Sequence, residues 1–260
     1  DWSSDVCSSD LMSVTGERDD LGGGPQKVGV AVADLFTGMY ATVAILAALR
    51  HRDATGQGQA IDMALLDTQV AMLANMGANY LASGVAPKRA GNAHQNIVPY
   101  QVFEAADGHM ILAVGNDGQF AKFCQVAGVP ELAVDPRFVK NADRVRHRDV
   151  LVPMLAEVLR SRPKQTWLDA LEAAKVPCGA INNLAEVFAD PHVQARGMVT
   201  QVPHPHTDSL RLVASPMKLS ATPPTVRRPP PLLGEHTQQV LAEFGLSADD
   251  CAALRQAGAI

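Results

Sequence analysis

Residues 28–49 read VGVAVADLFTGMYATVAILAAL, and the way this stretch folds decides the rest of the chain. Val28–Ala33 is a short apolar run, expected to be extended, and Asp34 then opens a helix as its N-cap. The helix is expected to run to about Arg50. Its small residues Gly38, Ala41, Ala44, Ala47 and Ala48 are spread around it, so several faces should be buried in a core. The most apolar part, Leu35 to Leu49, spans 15 residues. It carries Thr37, Gly38 and Thr42, and is short of the roughly 20 residues that cross a bilayer. A buried core helix is therefore expected, and no membrane partner.

Outward from this helix, Thr55-Gly56-Gln57-Gly58 is a turn, and Gln59–Leu65 partly alternates in the manner of a strand. A second apolar helix is expected over about Leu66 to Leu81. Lys88 to Gln95 (KRAGNAHQ) is polar and loop-like. Tyr100–Glu104 and His109–Val114 flank Asp107-Gly108, a strong hairpin signal. Helical recurrence follows over about 119–127, 144–160 and 164–175, and Pro177-Cys178-Gly179 breaks it. A short helix over 183–189, paired strands at 199–202 and 210–213, a stiff RRPPP connector at 227–231, and helices over 237–244 and 248–257 complete the chain.

The 260 residues suit one large domain or two modest ones. Lys and Arg number 22 against 27 Asp and Glu, a net charge of −5, which excludes a generalised nucleic-acid surface. Cys7, Cys124, Cys178 and Cys251 stand far apart with no C-x-x-C pair, so neither a disulfide framework nor a zinc ribbon is expected, and a reducing cytoplasm fits. Asp1 to Leu11 (DWSSDVCSSDL) has no helical or strand period and no initiating Met. It resembles a translated sequencing-adapter remnant and is set outside the fold, which makes the chain the back portion of a longer protein.

Familiar site motifs are missing. Gly56 and Gly58 would need a glycine at position 61 to complete a dinucleotide loop, and Ile61 stands there. There is no nucleophile elbow. No histidine pair has metal-ligand spacing, His204 and His206 lie in an expected surface hairpin, and no metal is expected. Arg144, Arg146 and Arg148 at spacing two read as a solvated helix face. Asp34 has two readings on these grounds. It is a helix cap, or it is an ionised carboxylate at a helix N-terminus that attacks an activated acyl group.

Six segments taken together resemble the class III coenzyme A transferases: 28–49, TGQGQAIDMALLD (55–67), RAGNAHQNIVPYQVFEAADG (89–108), AVGNDGQF (113–120), VPCGAIN (176–182) and PPPLLGEHT (229–237). The resemblance covers residues 12–260 in the family's order. It implies an α/β fold: a partial Rossmann-like large domain over 12–85, a linker and glycine loop at 86–95, and a small α+β domain over 96–200. A segment over 201–260 then returns to the large domain, in what is an interlocked homodimer in intact members. It also implies CoA transfer between carboxylic acids, succinyl-CoA being the expected donor and a second dicarboxylate such as glutarate the expected acceptor. No permanently bound cofactor is expected, CoA being the carried group.

By the same resemblance Asp34 is the nucleophile, and Gly91, Asn92, His94, Gln95 and Asn96 form the loop that closes over the aspartyl intermediate. Gln95 and Asn96 are its expected hydrogen-bond donors. Asp117 stands where related acyl-CoA racemases carry a Glu that acts as acid or base. That makes it a candidate acyl-site residue and supplies the alternative activity, epimerisation at C2 through an enolate. A third reading is a catalytically inert fragment.

Overall fold

The computed structural model describes residues 11–260. Cys7 and all of the 1–11 stretch except Leu11 lie outside the described residues. The chain is mixed α/β and divides into two compact units, one ending at Ile181 and the other running from Asn182 to Ile260.

In the first unit, helix α1 spans Val32–Thr55 and stops at Gly56. With φ at +76°, Gly56 turns its backbone N–H onto the Arg52 carbonyl, a left-handed close that glycine adopts without strain. Val28–Ala33 is not an extended run, because the helix already begins at Val32. Residues 59–64 form no strand either; they lead directly into α2 (Leu65–Met72). The expected helix over 66–81 is broken: α3 (Ala74–Ser83) starts afresh at Ala74, whose φ of +44° is left-handed for a non-glycine residue.

The unit's core is built on a three-stranded antiparallel sheet of β1 (Tyr100–Ala105), β2 (Gly108–Ala113) and β3 (Cys178–Ala180), with β2 central. The register Ala105↔Gly108 makes Ala106-Asp107 the two-residue turn, one residue before the expected Asp107-Gly108, with Gly108 already in β2. Asp107 Oδ1 also accepts the Lys164 backbone N–H at 2.6 Å. Phe103 and Ala105 on β1, then Met110, Leu112 and Val114 from β2 onward, bury alternate side chains with the strand's period of two.

Helices α4 (Asp117–Ala127), α5 (Asn141–Arg146), α6 (Arg148–Leu159) and α7 (Lys164–Ala173) surround that core. They contribute Phe120, Phe123, Leu151, Leu155, Leu159, Trp167 and Leu171, all essentially without solvent exposure. The expected helix over 144–160 is interrupted at His147, which closes α5 and precedes α6. Trp167 Nε1 donates to the Leu159 carbonyl at 2.8 Å, satisfying a buried donor.

The second unit holds α8 (Leu184–Ala189), opened by an Asn183–Glu186 capping box, and α9 (Pro191–Ala195). The hairpin of β4 (Val199–His204) and β5 (Thr207–Val213) pairs Val199 with Val213 and Val202 with Leu210, as the sequence suggests. Helices α10 (Thr237–Glu243) and α11 (Ala248–Gln256) follow, the latter opened by a Ser247–Asp250 capping box.

Helix α1 departs most from expectation. Ala33 is its one buried residue. Leu35, Met39, Val43 and Leu46 fall on one stripe and are 58, 65, 61 and 61% exposed. The helix is 24 residues long and includes an 18-residue stretch of mean hydropathy 1.7, so by length and composition it is long and apolar enough to cross a bilayer, unlike the 15-residue stretch considered alone. It is not a core helix within the described residues.

Candidate active site

Asp34 is the third residue of α1 and is exposed. The N-cap is Ala31, and no side chain caps this terminus. The expectation that Asp34 is the N-cap is therefore corrected: the N-cap lies three residues earlier, which puts Asp34 at the third helical position rather than at the one whose side chain accepts from the first free amides. Among the described residues its carboxylate forms no hydrogen bond and no ion pair. The carboxylate lies at the end of the helix where the backbone N–H groups point outward. The result is an uncommitted anion in the first turn, chemically able to act as a nucleophile.

The loop of residues 88–96 is tied down from several sides. Gly91, at φ +60°, donates its N–H to the Gly16 carbonyl at 3.0 Å, and a Cβ there would come within 2.6 Å of Glu17 Oε1. The left-handed backbone at this position is what favours glycine, since the tip of the Glu17 side chain can move aside. Asn92 Oδ1 accepts the Val102 N–H at 2.9 Å, and Gln95 Nε2 donates to the Lys88 carbonyl at 2.6 Å. Asn96 exchanges side-chain hydrogen bonds with Asn79, and its carbonyl accepts from Asn141 Nδ2. The two amides expected as donors to substrate thus each carry a bond within the protein, that of Gln95 inside the loop and that of Asn96 to Asn79 on α3.

His94 is held more closely still. Its N–H donates to the Tyr100 carbonyl at 2.8 Å, and its ring stacks on Tyr100 with centroids 5.3 Å apart. Its Nδ1 accepts the Asn96 N–H at 3.0 Å. Arg148 Nη2 donates to the carbonyls of both His94 and Gln95, at 3.2 and 2.7 Å. Arg148 forms no ion pair among the described residues, and burial pushes its guanidinium below the ordinary value, against the opposing charge of Asp149. Loop and guanidinium line a cavity of about 710 Å³, with Glu17, Lys88, Arg89, Asn92, Gln95 and Arg148 among its walls.

Asp117, the first residue of α4, is committed elsewhere. Its Oδ1 accepts from Arg144 Nη2 at 2.9 Å and from the Asn141 N–H at 2.9 Å, and Lys140 Nζ lies 3.5 Å from Oδ2. Against the raising effect of its partial burial, the Arg144 hydrogen bond and charge, the Asn141 amide and Lys140 hold this carboxyl below its ordinary range. Arg144 itself is fully buried. It donates further to the carbonyls of Val98, Phe138 and Val139 and lies 4.5 Å over the Phe120 ring. A carboxylate that joins two helix starts to a buried cation is a structural tie, and this is a poor setting for an acid or base that must exchange its proton.

The solvated-face reading of Arg144, Arg146 and Arg148 holds for Arg146 alone, which is exposed and pairs with Asp143 at 2.7 Å. Because the helix breaks at His147, spacing two does not scatter three equivalent side chains around one cylinder. Arg144 and Arg148 turn inward from two different helices, and reasoning from spacing missed both. No bond joins Asp34 to the loop or to Asp117 among the described residues. His204 and His206 lie in the β4–β5 hairpin with ring centroids 5.6 Å apart, and no cluster of metal-ligating side chains occurs among the described residues.

A free first-turn carboxylate, a braced glycine loop and small antiparallel sheets wrapped by helices are a recognisable combination: the chain belongs to CoA-transferase family III, which it matches over residues 4–237. That match begins inside the 1–11 stretch. The chain is 49% identical over 236 residues to a succinate–glutarate CoA-transferase of Agrobacterium fabrum, covering 91% of this chain and 58% of that protein. It is 40% identical over 242 residues to the human succinyl-CoA:glutarate CoA-transferase, covering 93 and 54% respectively. The crystal structure of a CAIB/BAIF family protein from Brucella suis superposes with a TM-score of 0.71 at 44% identity, covering 91% of this chain and 60% of that one. The chain spans somewhat over half the length of the curated relatives it matches.

Proposed function

We propose that the complete protein transfers CoA from succinyl-CoA to a second dicarboxylate such as glutarate, with Asp34 as the nucleophile. The carrying observation is the uncommitted Asp34 carboxylate in the first turn of α1. An Asp34 oxygen attacks the thioester carbonyl, the C–S bond breaks, and CoA thiolate leaves a mixed anhydride. The thiolate then attacks the aspartyl carbonyl, releasing succinate and forming an aspartyl-CoA thioester. The acceptor carboxylate attacks that thioester and expels the thiolate. Finally the thiolate takes the acceptor acyl group and returns Asp34 as carboxylate. Each intermediate is an activated acyl, so one difficult exchange becomes several easier ones, provided water stays out.

The names of relatives at 40–49% identity support the dicarboxylate substrates. CoA enters as substrate and no resident cofactor is required. We place the protein in the cytoplasm as a homodimer, since the apolar face of α1 calls for a protein cover. The structural commitment of Asp117 counts against C2 epimerisation. The test is mass spectrometry of the complete protein with succinyl-CoA and a panel of carboxylates. Formation of glutaryl-CoA supports the proposal; hydrolysis alone, or no turnover, overturns it.

A further inference from the structure

The loop holds His94 at every position but one. Its backbone N–H, its carbonyl, its ring face and its Nδ1 are all engaged, whereas Nε2 has no partner among the described residues. Because Nδ1 accepts the Asn96 N–H, the neutral ring must carry its proton on Nε2, the tautomer being set by the bond the other nitrogen makes. Stacking on Tyr100 fixes the ring plane and hence the direction of that N–H.

We propose that the His94 Nε2–H is the specificity-determining hydrogen-bond donor of this loop, and that its ligand is a carboxylate oxygen of the acyl acceptor. The inference rests on the proposed CoA transfer and deepens it. Gln95 Nε2 and Asn96 Nδ2 each already give a hydrogen bond to the protein, to the Lys88 carbonyl and to Asn79 Oδ1, whereas the His94 Nε2–H gives none among the described residues, so it is the loop side-chain donor left wholly open to a carboxylate. An N–H already oriented by packing loses little freedom on binding, which favours affinity. Arg148, bonded to the carbonyl of His94 and to no carboxylate, adds positive charge on the same turn, and an anionic acceptor strengthens such a bond. Arg148 is the positioning residue and His94 the group that touches substrate.

Two measurements test this. In this chain labelled with ¹⁵N-histidine, NMR should report His94 with its proton on Nε2, and addition of succinate should move that Nε2 resonance to saturation. A proton on Nδ1, or no response to succinate, overturns the proposal. In the complete protein, His94→Asn keeps an acceptor near the Nδ1 position but cannot reach as far as Nε2. It should raise KM for the acceptor carboxylate about tenfold or more, a larger change than in kcat. His94→Gln, which restores a donor near Nε2, should recover most of the loss. An unchanged KM in His94→Asn overturns the proposal while leaving CoA transfer standing. Absence of CoA transfer in the wild type instead overturns the functional reading, and the succinate titration then decides the role of His94 by itself.

Discussion

Arg144 Nη2 lies 2.9 Å from Asp117 Oδ1, joining a fully buried cation to a carboxylate that is 39% exposed. The same oxygen accepts the N–H at the start of α5, so one carboxylate ties the first turn of α4 to the helix that carries Arg144. A group in this position supports the packing of the unit that ends at Ile181.

Asp117→Asn should therefore lower stability and leave C2 chemistry untouched. Loss of the charge at Arg144 should cost about 1 kcal/mol, allowing for the solvent that reaches Asp117. The folded-state pKa of Asp117 is depressed, so its contribution is present above the unfolded carboxyl range near pH 4 and is lost as pH falls through the folded value. Acid unfolding of the variant should be less steep than that of the wild type. Deuterium uptake at C2 of a 2-methylacyl-CoA that occurs in the wild type and vanishes in the variant would assign Asp117 a catalytic role.

Asp34→Ala should abolish CoA transfer in the complete protein, by a thousandfold or more for the loss of a covalent nucleophile. It should barely change helix stability, because Ala31 and not Asp34 stands at the N-cap. Hydroxylamine should label Asp34 only when acyl-CoA is present. A variant that keeps a tenth of the wild-type rate would rule out Asp34 as nucleophile.

The apolar stripe of α1 should make residues 1–260 self-associate in solution. Replacing Met39 and Val43 by Glu, both more than 60% exposed, should shift light scattering toward the monomer mass. A wild-type chain that already runs as a monodisperse monomer would contradict this.

Gln69 is buried, and neither its amide nitrogen nor its oxygen has a hydrogen-bond partner among the described residues. Gln69→Met keeps similar volume and removes two unsatisfied polar atoms, so it should stabilise the chain by about 1–2 kcal/mol. Urea denaturation reads this directly, and a lower midpoint in the variant would mean that the amide has a role in the packed state.

The hairpin at 100–113, the capping boxes at Asn183 and Ser247, and the paired strands at 199–213 follow from local rules. In each case the signal and the bond it specifies lie within a few residues. The helix breaks at Ala74 and His147 do not, because the apolar recurrence continues through both and no glycine or proline marks either position. The same limit hid Arg144 and Arg148. An arginine reads as solvated until the fold supplies carbonyls from distant residues, here Val98 at a separation of 46 and Gln95 at 53.

For the candidate site, sequence by itself determined which carboxylate lies near the start of the apolar helix and which residues make up the loop, since both are consecutive motifs with a family likeness. Tertiary structure decided what each of those residues is free to do. Asp34 is left without a partner because the helix starts at Val32. Gln95 and Asn96 are used by Lys88 and Asn79, and His94 keeps one open nitrogen because Asn96, Tyr100 and Arg148 occupy its other groups. The physical reason is that a polar atom's availability depends on who already binds it, and in a folded chain those partners are brought together across the sequence.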